Sequence, residues 1–239
     1  MVAETDLVER ARALAAQAGP RGAEIEALIQ CYIRAAKIAW DVGADFVDIK
    51  HCHGYLLHEF LSPIANQRSD HYGGSFENRI RLTLEVTDAV RAVWPAELPL
   101  LVRISATDWA EGGWTVDESV QLATQLRARG VDLIDCSSGG LASHQKITIG
   151  PGYQVPFARR IRAEADMPTA AVGLITDAAQ AEQIVADGSA DMVFPSFAAP
   201  LLAKGSPSLS SSSLFITKMT SNAIASERST AAIIWCFRR

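Results

Sequence analysis

No apolar run in this 239-residue sequence approaches the ~18 residues that would cross a membrane as a helix. The N-terminal stretch MVAETDLVERARALAAQAG is charged and amphipathic and lacks the apolar centre of a secretory signal. Positive charge is not in excess. Asp and Glu number 27 against 22 Lys and Arg, a formal net charge of −5, which argues against a nucleic-acid or anionic-membrane surface. Cysteine is sparse, and Cys31, Cys52, Cys136 and Cys236 show no CxxC spacing. That pattern predicts reduced thiols in a cytoplasmic protein rather than a disulfide frame or a zinc ribbon. Nor does a glycine-rich phosphate turn follow the first predicted strand, as it usually does in a doubly wound open sheet.

What is present is an ordinary globular composition, 49% hydrophobic and 21% charged. Its segments alternate in period. Residues 23–42 carry apolar groups at helical spacing, and Gly43 follows as a C-cap before the strand-like FVDIK (46–50). A helix is predicted from about Ser75 to Trp94, with Ser75 as its N-cap. Strands at 98–104, 131–136, 167–172 and 190–194 then alternate with helices at 115–129, 153–165 and 177–186. Helix-to-strand turns are short and strand-to-helix loops are long. That asymmetry predicts an α/β fold of the (β/α)8 TIM-barrel type, whose long loops carry function. Five strands are counted where a barrel needs eight, so the expected barrel is incomplete, with its first strands missing and its last helix replaced. Residues 1–204 read as this partial barrel with a helical lead-in. Residues 205–239 read as a serine-rich, disordered tail.

Chemistry concentrates in residues 50–79, directly after the first strand. His51 and His53, spaced i, i+2, would share a face of a continuing strand, and with distant His144 they offer a weak metal-site alternative. Tyr55 beside His53 suits polarisation of a carbonyl oxygen followed by proton delivery, although a buried tyrosine is more often core. Arg103 at a strand end needs a partner, and Asp108 or Asp48 could supply a structural ion pair. Gly173 and the helix start that follows could admit a phosphate to the backbone. Asn66, Arg68, Asp70 and Tyr72 read as a polar surface loop without a catalytic role.

The run HGYLLHEFLSPIANQRSDHYGGSFENR strongly resembles the Old Yellow Enzyme family of FMN-dependent NADH:flavin oxidoreductases and ene-reductases. So do LLVRISATDW (100–109), IDCSSGG, GPGYQVPFARRIR and AVGLITDAAQAEQIVADGSADMVF, and the resemblance spans roughly residues 25–194. It implies bound FMN, NAD(P)H as reductant, and hydride delivery to the β-carbon of a small enone-type substrate, with truncation the expected source of any impairment in this chain. It places His53 and Lys50 as the pair that binds the carbonyl, with Lys50 standing where the family has histidine. A solvated strand-end lysine is the competing reading. The resemblance makes Tyr55 the proton donor and sets Arg103 against the flavin pyrimidine. It assigns Gly173, Leu174 and Ile175 to the FMN phosphate, and Ser137, Ser138 and Gly139 to the lining of the site. It leaves a homo-oligomer open.

Two departures stand out. The family's opening barrel units, which contribute ring contacts, have no counterpart before residue 25. The Gly-Arg pair that grips the phosphate falls on Ser196 and Phe197, and family character then ends. So abrupt a change predicts a frameshift or gene-model error, or an inactive barrel remnant that binds no flavin.

Overall fold

Apolar side chains recurring every three or four positions give helix α1 (Gly22–Asp41) one buried stripe, Ile25, Leu28, Tyr32, Ala35 and Ala39. Gly43, at φ 74°, turns the chain into strand β1 (Phe46–His51). The computed structural model from which these elements come describes residues 22–195, 222–224 and 234–237.

Helix α2 (Leu56–Leu61) and helix α3 (Phe76–Arg91) lead to strand β2 (Leu100–Ser105). Helix α4 (Val116–Arg127), strand β3 (Leu133–Ser137) and helix α5 (Val155–Ala165) follow. Strand β4 (Thr169–Ala171), helix α6 (Ala178–Ala186) and strand β5 (Met192–Val193) complete the alternation. Strands β6 (Asn222–Ile224) and β7 (Ile234–Phe237) come last. The helix starts are encoded locally. Ser75 Oγ accepts from the Asn78 N–H, Thr115 and Glu118 form a reciprocal capping box, and Asp177 accepts from the Gln180 N–H.

The sheet order is β5-β4-β3-β2-β1-β7-β6, with β1 to β5 mutually parallel. Strand β7 pairs antiparallel with β1, and β6 pairs antiparallel with β7. Five parallel strands match the sequence count; two short antiparallel strands add to it. The remainder of the 205–239 segment, and its boundary at 204/205, lie outside the described residues.

One face of the parallel strands, carrying Val47, Ile49, Val102, Ile104, Ile134 and Ala171, packs against the helices in the main core. The opposite face carries a smaller apolar cluster, Leu101, Leu133 and Ala170 with Phe46, Met192 and Phe194. In a barrel this second face is the interior, filled in layers. Above the apolar layer the register aligns Lys50, Arg103 and Asp135, and above that Ser105 and Ser137. No described helix is long and apolar enough to cross a membrane.

The loop at 62–74 departs from its sequence reading. Asn66 and Arg68 are buried. Asn66 Nδ2 donates to the carbonyls of Phe60 and Tyr72, and Arg68 pairs with Asp70. The polar residues knot the loop together instead of facing solvent.

Candidate active site

Strand β1 stops at His51, and the chain turns through two left-handed residues, His53 at φ 57° and Gly54 at φ 72°. For a residue with a Cβ that conformation costs about 1–2 kcal/mol, and the surroundings enforce it. The His53 N–H donates to Ser105 Oγ at 3.1 Å, and that hydroxyl donates to the Gly139 carbonyl at 2.7 Å. A Cβ on Gly140 would stand 2.7 Å from His53 Cα, and one on Gly54 would stand 2.8 Å from the Gly140 carbonyl oxygen. Both positions demand glycine, so the loops after β1 and β3 are fitted backbone to backbone.

The turn separates the two histidines. His51 lies in register with Ile104 on the helix side, buried, its Nδ1 bonded to the Ile49 carbonyl at 3.0 Å. His53 points to the other side, its Nε2 lying 2.7 Å from Ser137 Oγ. Ser137 Oγ donates to Gln154 Oε1, so it accepts from His53 and the ring proton sits on Nε2. Burial, with Arg103, Lys50 and His58 adding to it, lowers the His53 pKa to about 3. The i, i+2 pair therefore does not converge. Among the described residues no group of three or more His, Cys, Asp or Glu is arranged to hold a metal ion.

Lys50 is buried, not solvated at a strand end. Its ammonium lies 3.6 Å from the centroid of the Tyr55 ring. Arg103, beside it in register, has Nη1 3.3 Å from Asp135 Oδ2. Neither Asp48 nor Asp108 is that close partner. Asp108 belongs to a separate network, and Asp48 sits two residues before Lys50, with Oδ1 buried and without a hydrogen bond. Burial raises the Asp48 pKa well above the carboxylate range, and the Asp135 charge adds to the rise. At Asp135 burial outweighs the Arg103 charge and raises the pKa to about 6.

Ser138 Oγ donates to Gln154 Oε1 at 2.8 Å. Gln154 in turn backs the Gly173 turn, where a Cβ would stand 2.7 Å from Gln154 Nε2 and 3.1 Å from the Tyr153 ring. Gly173 is thus required by its own chain. Its φ of 101° and the 51° of Leu174 make a turn whose Leu174 side chain is exposed, whereas Ile175 is buried and can offer only backbone. Gly139 is likewise explained by packing, since a Cβ there would stand 2.7 Å from Gln145 Oε1. The residues predicted from sequence therefore gather at the carboxyl ends of β1 to β4. Sequence reasoning missed Gln154, Asp135 and Ser105. Asp135 had a readable signal: it occupies the same alternating face of its strand as Arg103 does of the strand before. A cavity of about 360 Å³ opens nearby, lined by Glu59, Ile64 and Ala65 and by Leu141 to His144.

A family model described as the NADH:flavin oxidoreductase / NADH oxidase family matches residues 11–207. The chain belongs to that family. Over 172 residues it is 52% identical to an NADPH dehydrogenase of Geobacillus sp. (strain WCH70), a match covering 72% of this chain and 50% of the relative. The chain spans about half the length of the curated relatives it matches. A 2-naphthoyl-CoA reductase, solved in complex with 2-naphthoyl-CoA, superposes with a TM-score of 0.66 at 31% identity. That alignment covers 71% of this chain and 26% of the other. An old yellow enzyme homologue from Zymomonas mobilis gives 0.60 at 28% identity, covering 73% and 48%. The Old Yellow Enzyme resemblance and the barrel reading both hold, and the five parallel βα units are a section of that flavin oxidoreductase barrel. The match runs past Phe194, where the sequence resemblance faded; Ser196 and Phe197 lie outside the described residues.

Two features of the site fit a flavin. Arg103 Nε is buried without a hydrogen-bond partner at the level of Lys50. The Gly173–Leu174 turn brings backbone to the surface before helix α6. One feature opposes a phosphate: the Asp177 carboxylate already caps that helix.

Proposed function

We propose that this chain carries the carbonyl-polarising and proton-donating part of an FMN-dependent, NAD(P)H-driven reductase acting on the C=C bond of small α,β-unsaturated carbonyl compounds. The observation that supports it is the convergence of His53, Tyr55, Lys50 and Arg103 around the ends of two adjacent strands in a chain of this family. Bound FMN would accept hydride from NAD(P)H and deliver it to the substrate's β-carbon. Arg103, with Nε unpaired, and Lys50 would supply positive charge on the ring side. The Gly173–Ile175 backbone would meet the phosphate, and Ser138 and Gly139 would line the wall between.

His53 supplies the donor for the substrate oxygen. Its Nε2–H is held by Ser137 at 2.7 Å. A carbonyl oxygen entering there takes over as acceptor, and Ser137 keeps its bond to Gln154. The low pKa keeps the imidazole neutral, so it polarises by hydrogen bonding and does not give up a proton. Tyr55, half-buried and braced by Lys50, is the group placed to protonate the α-carbon.

Phenol mimics an enolate oxygen. In FMN-loaded protein, His53→Ala should weaken phenol binding and slow enone reduction, since one oxyanion donor is worth about 2.7–4 kcal/mol. Tyr55→Phe should slow only the enone half-reaction and spare flavin reduction by NADPH. Unchanged phenol affinity in His53→Ala, or equal losses in both half-reactions for Tyr55→Phe, would overturn the assignment.

A further inference from the structure

His58 and Asp108 have no part in the reading above, yet both are fully buried and their polar atoms are matched. His58 Nδ1 accepts the Gly54 N–H at 3.0 Å, which puts the ring proton on Nε2. That Nε2–H donates to Asp108 Oδ1 at 2.8 Å. Asp108 Oδ2 accepts from Ser62 Oγ at 2.5 Å and from the Trp114 N–H at 2.7 Å. Burial would raise the Asp108 pKa, but these donors, His58 foremost, hold it below the usual value.

An apolar pair could pin α2 to the 108–114 loop without the cost of burying an imidazole and a carboxylate. An imidazole adds one thing an apolar residue cannot: an acceptor aimed at a particular N–H. That N–H belongs to the peptide plane joining His53 to Gly54, between two left-handed residues. Its rotation sets ψ of His53 and φ of Gly54.

We propose that His58 and Asp108 are positioning residues for His53: His58 Nδ1 holds the His53–Gly54 peptide plane, and Asp108 fixes the ring so that this nitrogen faces Gly54. The inference rests on the reading of His53 as the carbonyl-facing group. Its test needs neither flavin nor substrate, so it fails separately from that reading, which the phenol titration decides.

The test uses nitrogen-15 imidazole spectra of the full chain together with thermal unfolding. His58→Asn keeps an acceptor near the Nδ1 position and loses the reach to Asp108. His58→Gln does the reverse. His58→Asn should lower the melting temperature yet keep the His53 Nε2–H tautomer signature. His58→Gln should keep more of the melting temperature yet shift the His53 nitrogens toward the average of two tautomers. A His53 signature that survives His58→Gln, or that follows the melting temperature across both variants, overturns the proposal. If either variant fails to fold, the native chain still decides: a through-hydrogen-bond coupling between Gly54 N and His58 Nδ1 is expected, and its absence overturns the proposal.

Discussion

Lys50 holds its ammonium 3.6 Å from the centre of the Tyr55 ring, joining the penultimate residue of strand β1 to the residue that opens helix α2. The contact is a cation–π pair made in a largely desolvated place, where such pairs are worth about 2 kcal/mol. Phenylalanine keeps the ring face and leucine does not. A double-mutant cycle by denaturant unfolding should show a coupling of about 1–2 kcal/mol between Lys50→Met and Tyr55→Leu. The coupling of Lys50→Met with Tyr55→Phe should be near zero. Equal couplings would mean the ring face is not what Lys50 meets.

The Arg103–Asp135 pair should behave as a buried ion pair. Removing one partner strands the other charge at a cost of about 3–5 kcal/mol. Arg103→Met, which leaves the buried Asp135 carboxylate without its counter-charge, is therefore expected to lower unfolding free energy by an amount in that range. The double variant Arg103→Met with Asp135→Leu should recover most of the loss, because it leaves no orphan. Additive losses in the double variant would show that the two side chains act independently.

His51 predicts a pH effect with a definite sign. Burial lowers its pKa from 6.5 to about 4 in the folded chain. Below pH 6.5 the unfolded chain takes up a proton that the folded chain refuses, so stability falls as pH falls, by about 1.4 kcal/mol per unit, down to about pH 4. His51→Asn keeps the bond from the Nδ1 position to Ile49 and removes a buried Nε2 that has no partner. The stability of the variant relative to the native chain should therefore improve steadily from pH 6.5 to 4. Parallel stability curves would contradict this.

FMN affinity follows from sequence positions 196 and 197. Charge-assisted hydrogen bonds contribute about 1.5–3 kcal/mol each. Ser196→Gly with Phe197→Arg should tighten FMN binding by about one to two powers of ten in a fluorescence titration. Nanomolar affinity in the unaltered chain would show that Arg103 and the Gly173 turn suffice.

Helices with one apolar stripe and short strands, even those buried on both faces, were legible in the sequence, and a short helix buried on every side was not. The helices with one apolar stripe, and Gly43 that ends the first of them, were readable within a few residues. Helix α2 was missed because all six of its residues are buried, which leaves no period to detect. The polar loop at 66–72 misled because Asn66 satisfies backbone carbonyls, and Arg68 a carboxylate, inside the loop as well as they meet water. At the site, motif residues could be named from the resemblance, but their partners could not. Gln154 is 17 residues from Ser137, and Asp135 is 32 from Arg103, and nothing local couples either pair.

The antiparallel seat of β7 on β1 carries a consequence for assembly. A closed (β/α)8 barrel gives each strand two parallel neighbours. Strand β1 has one, β2, and its other edge is spent on residues 234–237. A backbone edge has one set of donors and acceptors, so β7 and a parallel barrel strand are rivals for the same rung of the ladder. Any segment offered in trans to extend the barrel must first unzip β7, and docking should therefore be slow and should quicken when residues 234–237 are deleted.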